Sequence, residues 1–420
     1  MKNLDSLPQD FYEYVEKNIF SDCDSLILKD RDKDYPFPVT LAITQIRCRR
    51  KTVSKLSWLN CYRGFIYPCE QVAEQSTHQS VALYHAMLAG SGKRIADLTA
   101  GLGVDAFTMA FISEKVTAVE YDPLRAAAIR HNADVINIDN LTVVHADCTE
   151  WIRTAPEFDV VFIDPARRDD TGARTFRLSD SLPNVVGFRH EILSKTKLLI
   201  VKSSPFLDIT SVVREMPETK EIHLVCVKGE CKEVLVIMPG KIQEQTYRSD
   251  DVTVKIVDLS HEVDSNRIRA GAEPGIISSF ECSLSETWNK GAPIADGEDI
   301  VPGHYICDPN AGIHKIGAGS RLCRDFPGLK RLGPNTDLYV SPVYNDEFPG
   351  RIFRIDRQTD KKYMKSLKGE GRSVITRNYP LQASKLKASL GLREDDSKFI
   401  IGMRMGNNDK TIILDCTRIK

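Results

Sequence analysis

The chain has 420 residues, 42% of them hydrophobic and 27% charged, with a formal net charge of −1. That length exceeds one ordinary core, so two to four soluble domains are expected, and a near-neutral chain has no global field for nucleic acid, so any basic surface must be local. No apolar run reaches the ~18 residues that cross a bilayer, and 11 cysteines without a C-x-x-C pair or zinc spacing suit a reducing cytoplasm with no metal and no membrane.

In chain order, the mixed, early-acidic start Met1-Lys2-Asn3-Leu4-Asp5 does not read as a secretion signal. Residues 1–90 read as a helical N-terminal domain, with helical spacing over Phe11–Phe20 and a break at Pro36 and Pro38. Arg47, Arg49, Arg50, Lys51 and Lys55, followed by Trp58, Tyr62 and Phe65, suit either a base-stacking surface for single-stranded RNA or a solvated helix face beside core aromatics. Ser76 or Thr77 can cap a following helix, which would bring Glu74 and Gln75 near the carboxyl end of the first core strand.

From Arg94 the pattern is regular. Strand-like runs at Arg94–Thr99, Val116–Tyr121, Leu141–Ala146, Phe158–Ile163 and Leu198–Lys202 alternate with helices, which implies a parallel sheet covered on both faces. Glu221–Val227 and Val234–Met238 follow too closely for a crossover, so they must form a hairpin. The turn Gly101-Leu102-Gly103 after the first strand lets a ligand approach the backbone. Asp97, Glu120, Asp147 and Asp164 end the first four strands, at the edge where such sheets bind ligands. A ribose acid at Glu120 is shared with dinucleotide-binding folds, but five parallel strands ending in a hairpin are not the ending of such a fold.

These residues resemble the class I S-adenosylmethionine-dependent methyltransferases over 91–240. The resemblance implies that Asp97, Thr99, Gly101 and Gly103 form the glycine motif, with Asp97 shaping the methionine pocket. It further implies that Glu120 is the ribose acid, Asp147 the adenine-side acid and Asp164-Pro165 the start of the fourth motif. Glu74-Gln75, Asp164-Pro165-Ala166-Arg167-Arg168, Lys202-Ser203-Ser204-Pro205 and Glu230-Cys231-Lys232-Glu233 are similar to a bacterial group of uncharacterised methyltransferases. That group carries a ferredoxin-like domain and a C-terminal THUMP-like domain, and so implies S-adenosyl-L-methionine as cofactor and an RNA substrate, tRNA or rRNA.

The fourth motif narrows the reaction. Ala166 and Arg167 stand where base-amine methyltransferases carry a second proline and an aromatic, and no cysteine lies in Asp164–Arg168 or Lys202–Pro205 for a carbon-5 mechanism. Transfer to a nitrogen needs positioning and loss of a proton, which Asp164 can accept. Arg167, Arg168 and Lys202 would surround the crevice, either on phosphates or paired with Asp169, Asp170 or Asp208. Cys231 and His314 read as structural.

Val252–Val257 alternates like a strand, and 278–330 is a small α+β stretch rich in turns. Beyond it the composition turns basic: 331–420 holds 18 Lys and Arg against 11 Asp and Glu, a local charge of +7. Lys361, Lys362, Lys365 and Lys368, with Arg372 and Arg377 after them, read as a phosphate-contacting stripe or a solvated face. The expected architecture is α/β: a helical N-terminal domain (1–90), a Rossmann-like seven-stranded core (91–277), a small ferredoxin-like module (278–330) and a basic THUMP-like domain (331–420). The expected function is methylation of structured RNA, with a small-molecule or protein acceptor, or a non-catalytic RNA-binding scaffold, as alternatives.

Overall fold

Apolar runs buried on both faces set the architecture. In the computed structural model, which describes residues 7–30, 33–167, 177–241, 247–288, 291–406 and 410–420, with the Arg167 side chain outside that set, seven apolar runs lie in one sheet, all largely buried but the partly exposed edge run Leu141–His145. These are β1 (Arg94–Asp97), β2 (Lys115–Glu120), β3 (Leu141–His145), β4 (Phe158–Ile163), β5 (Thr196–Ser203), β6 (Glu221–Val227) and β7 (Glu230–Pro239). Their order is β3-β2-β1-β4-β5-β7-β6. β1 to β5 run parallel, and β7 is antiparallel to β5. Val160, Val161, Phe162 and Ile163 are buried to a residue, as a strand covered by helices on both sides must be.

The hairpin is tighter than the sequence suggests. β6 and β7 are joined by Lys228 (φ 53°) and Gly229 (φ 74°) alone, a two-residue turn whose left-handed angles match the strands' twist. A further pair of short strands, Ala166–Arg167 and Ser181–Leu182, which the sequence did not signal, stands apart from the sheet. The helix Gln79–Ala89 is capped by His78, whose Nδ1 accepts from the Ser80 N–H at 3.2 Å, rather than by Ser76 or Thr77.

The chain divides into two compact units: Met1–Val225 with Glu233–Arg248 and Leu259–Ile277, and Cys226–Lys232 with Ser249–Asp258 and Ser278–Lys420. Helices Gln9–Lys17, Cys23–Asp30 and Val39–Lys51 bury Phe11, Val15, Leu26, Ile43 and Ile46 in a core of their own. This helical segment is nonetheless part of the first unit. Asn132, on the core helix Pro123–Ile136, accepts from the Ile66 N–H at 2.8 Å and donates to its carbonyl at 2.9 Å.

The basic cluster of 47–55 is paired within the first unit. Arg47 pairs with Asp24 (2.8 Å) and Glu70 (3.1 Å), and Lys51 with Glu70 (2.8 Å) and Glu74 (2.5 Å). Lys55 donates to the Glu74 carbonyl at 2.6 Å. Arg50 donates to the carbonyls of Ile19 and Ser21. Arg49 gathers four carbonyls, those of Asn60, Tyr62, Arg63 and Phe65, at 2.9–3.1 Å. Trp58 and Phe65 are buried in the core.

The second unit is built on a seven-stranded sheet in the order Lys330–Gly333, Thr336–Ser341, Tyr305–Pro309, Gly350–Gln358, Lys410–Arg418, Lys398–Met405, Ser373–Arg377. Only Ser373–Arg377 and Lys398–Met405 pair in parallel. Because Tyr305–Pro309 lies between strands from beyond residue 330, one sheet draws on both of the stretches that composition separates at 330. Val252–Val257 does form a strand, Thr253–Leu259.

Arg49→Met removes the guanidinium that four carbonyls share, and of these that of Tyr62 keeps the Phe65 N–H at 3.1 Å. We expect it to cost about 2–3 kcal/mol, read as a lower urea midpoint with an unchanged m-value.

Candidate active site

The carboxyl ends of β1, β2 and β4 meet at the glycine turn. Gly101 (φ 58°) and Gly103 (φ 88°) adopt angles that only glycine takes readily. A Cβ on Gly101 would find only the Thr99 carbonyl, at 3.9 Å, so that side of the turn is open for a ligand. Gly103 is constrained from the protein side instead, since a Cβ there would lie 2.7 Å from the Phe107 ring.

Glu120, buried at the end of β2, is bonded to this turn. Its Oε2 accepts from the Gly101 N–H at 2.8 Å and its Oε1 from the Asp122 N–H at 2.9 Å. A carboxylate offers about two acceptor sites per oxygen, so one on each remains for the paired hydroxyls of a ribose. Thr99 links this half of the site to the other, its Oγ1 accepting from the Asp164 N–H at 2.7 Å. Asp97, 1% exposed, accepts from the Thr99 N–H at 3.1 Å, and burial together with the nearby Asp105 charge pushes its pKa well above the usual carboxylate range. Asp164 makes an ion pair with Lys202 at the end of β5, which replaces the pairing with Asp208 considered from sequence. Burial raises the Asp164 pKa, the Lys202 ammonium offsets part of that rise, and the surrounding carboxylates hold Lys202 charged against its own burial. Asp208 caps the helix Ile209–Glu215 instead, accepting from the Thr210 N–H at 3.0 Å.

Beneath the turn lies a buried network that sequence reasoning missed. His85, fully buried on the helix Gln79–Ala89, bonds Asp105 Oδ1 through Nδ1 at 2.7 Å and Glu233 through Nε2. Asp105 also accepts from the Thr77 hydroxyl at 2.5 Å. Burial disfavours a charged imidazole, but the Glu233 and Asp105 carboxylates outweigh it and lift the His85 pKa to about 10. Asp105, whose pKa burial would raise, is held below the usual carboxylate range by His85 and Lys202. The signal available in sequence was a lone histidine in the apolar run Val81–Ala89.

The remaining expected residues fall as follows. Asp147 is exposed and caps the helix Cys148–Thr154, its Oδ1 accepting from the Thr149 N–H at 2.8 Å. Glu74 is engaged by Lys51, and Gln75 is exposed at the end of the helix Glu70–Gln75. No hydrogen bond among the described residues joins Glu74 or Gln75 to the strand-end acids. The Arg167 backbone pairs with Ser181, while its side chain and Arg168, Asp169 and Asp170 lie outside the described residues. Cys231 is hydrogen-bonded with Cys226, which together with burial pushes the Cys226 thiol pKa up. His314 sits on Asp308 at 3.0 Å. Among the described residues no group of His, Cys, Asp and Glu has the makings of a metal site, and no helix is long and apolar enough to cross a membrane.

A glycine bend bonded to a ribose-ready acid, above a sheet of this order, defines a class I methyltransferase fold. Comparison with known proteins carries this further. Residues 65–171 match the family described as "Putative SAM-dependent methyltransferase", and residues 305–349 match a ferredoxin-like domain family, further along than the 278–330 expected. For that family S-adenosyl-L-methionine is the cofactor, and the open Gly101 face and the unspent acceptor sites of Glu120 fit it. Ribosomal RNA small subunit methyltransferase J of Chromobacterium violaceum is 39% identical over 82 residues, covering 17% of this chain and 32% of that protein. The protein of the same name from Aliivibrio salmonicida is 28% identical over 151 residues, covering 32% of this chain and 58% of that one. The chain thus spans about a third of the length of the first curated relatives it matches. A "putative methyltransferase" from Porphyromonas gingivalis W83, solved by crystallography, shares the fold over 98% of both chains, with a TM-score of 0.80 at 23% identity.

The buried imidazolium makes a pH prediction. A histidine whose pKa rises from 6.5 to about 10 on folding contributes stability that is complete below 6.5 and is lost as pH climbs towards 10. Urea melts from pH 6.5 to 9 should show stability falling by up to about 1.4 kcal/mol per pH unit, and His85→Gln should remove that component of the slope.

Proposed function

We propose that this protein methylates a nitrogen of a nucleotide in structured RNA, with small-subunit ribosomal RNA as the acceptor. The observation that carries this reading is the Asp164–Lys202 pair at the crevice, tied to the glycine turn through Thr99. The curated relatives' names support the acceptor, and the excess of basic residues over 331–420 supports an RNA. Lys361, Lys362, Lys365 and Lys368 are all exposed. The basic cluster of 47–55 adds less, since its cations are paired with Asp24, Glu70 and Glu74 or with backbone carbonyls.

S-adenosyl-L-methionine supplies an electrophilic methyl group when bound. Glu120 would hold the ribose hydroxyls, Gly101 would allow close approach of the backbone, and Asp97 would face the methionine portion. Asp147, with its Oδ1 committed to the helix cap, would offer Oδ2 to the adenine amino group. Glu74 and Gln75 would border the methionine end. Asp164 takes the proton that the acceptor nitrogen must lose. A carboxyl whose pKa lies above the ordinary range is the better base for that step, and Lys202 fixes its orientation. Arg167 would neutralise a phosphate beside the target nucleotide. A carbon-5 mechanism needs a thiolate at the crevice, and Cys231 sits in the β6–β7 hairpin, a free thiol hydrogen-bonded with the Cys226 thiol.

Calorimetry and nucleoside mass spectrometry test the reading together. The chain should bind S-adenosyl-L-methionine, and 30S subunits from a strain lacking this gene should gain one N-methylated nucleoside when incubated with both. Asp164→Asn should lower that turnover on the order of 100-fold while cofactor affinity is kept. Glu120→Ala should lose the affinity itself. Cofactor binding with no methyl transfer to RNA would overturn the acceptor.

A further inference from the structure

We propose that Arg351 and Arg377, held side by side by the buried Asp308, form a clamp for a phosphodiester group of the RNA backbone. The inference rests on the reading that the substrate is RNA, and adds to it a place on the second unit where that RNA is gripped.

Asp308 ends its strand 2% exposed, and three cationic or ionisable groups converge on its carboxylate. His314 Nε2, from the helix Ala311–Ile316, lies 3.0 Å from Oδ1. Arg351, directly opposite Asp308 in the strand register, reaches Oδ2 at 2.5 Å. Arg377, at the end of the edge strand Ser373–Arg377, reaches Oδ1 at 3.4 Å. One carboxylate cannot neutralise two guanidiniums, so a positive charge is left over whatever the state of His314. Burial alone would raise the Asp308 pKa, but His314 and the two arginines bring it down to about 2, so the acid stays ionised and keeps both arginines in place.

The arginines are anchored but not used up. Their side chains are 41% and 38% exposed. A guanidinium has five N–H donors. Among the described residues Arg351 spends donors only on Asp308, and Arg377 only on Asp308 and the Thr376 carbonyl. Arg351 also lies 5.6 Å from the centre of the Phe353 ring, a second restraint on its pose. Asn310, two residues beyond Asp308, turns its Oδ1 to the N–H groups of Gly312 and Ile313 and leaves a buried Nδ2 without a partner. The turn is therefore richer in donors than in acceptors. Two planar forks, fixed within reach of one carboxylate, suit the tetrahedral oxygens of a phosphate, and their fixed pose means little ordering cost on binding. A phosphodiester is favoured over a protein carboxylate by the net charge of +7 over residues 331–420, to which both arginines belong.

The test uses the full chain, a fluorescently labelled helix of small-subunit ribosomal RNA, and a salt series from about 50 to 300 mM KCl. Against the native chain, Arg351→Gln/Arg377→Gln should bind on the order of tenfold more weakly at low salt, with a log–log salt slope shallower by about 1 per arginine. Arg351→Lys/Arg377→Lys keeps the charge without the fork, and should restore the slope but only part of the affinity. Cofactor affinity should be unchanged in all variants. A folded double-glutamine variant with the native slope overturns the clamp while leaving the RNA reading intact. A native chain that binds cofactor but no RNA overturns both. If the double variant fails to fold, Arg377→Gln, which leaves Arg351 and His314 on Asp308, should show about half the slope change, and a native slope there is equally fatal.

Discussion

A charged imidazole with no solvent contact organises the floor of the candidate active site. Removing an ion from water costs several kcal/mol, and a buried charge persists only where geometry and hydrogen bonds return that cost. His85 meets the condition from both ring nitrogens, with Asp105 on one side and Glu233 on the other. Asp105 sits two residues past Gly103 and Glu233 on β7, so the ion triplet pins the helix behind the glycine turn to the antiparallel strand. Thr77 extends the network to the segment before the helix. The turn that would face the cofactor is thereby held from below by charge rather than by apolar packing alone, and removing His85 would leave two buried carboxylates without their shared cation.

How much of this could be read in advance depended on distance along the chain. The parallel strands were legible because strands buried on both faces write continuous apolar runs, as Phe158–Ile163 does. The acids Asp97, Glu120 and Asp164 were legible because they interrupt those runs at a fixed place. His85 was not, since its partners lie 20 and 148 residues away and a single histidine in Val81–Ala89 carries no mark of them. The division near residue 330 misled because composition shifts there while strand pairing does not: Tyr305–Pro309 finds its neighbours in 336–341 and 350–358. The short strands Ala166–Arg167 and Ser181–Leu182 carry only two residues each, too few to leave a pattern.

Arginine plays two opposite parts in this chain, and spacing does not tell them apart. Arg49 turns inward and collects carbonyls from the end of the helix Ser57–Asn60 and the turns after it. Arg351 and Arg377 share one acid and leave most of their donors facing water. On a sequence both look like basic residues near aromatics. The difference is made by what lies opposite: four backbone oxygens in one case, a single buried carboxylate in the other.

The hydroxyl of Thr99 is a small feature with a wide reach. It accepts from the peptide N–H of Asp164, so the bend that would seat the cofactor and the peptide that carries the proposed base share one hydrogen bond. Neither can be shifted alone. A lineage altering which acceptor it recognises would have to do so with segments that hang outside this joint, such as Ser181–Leu182 or the loop ahead of Asp208, while the joint itself stays frozen.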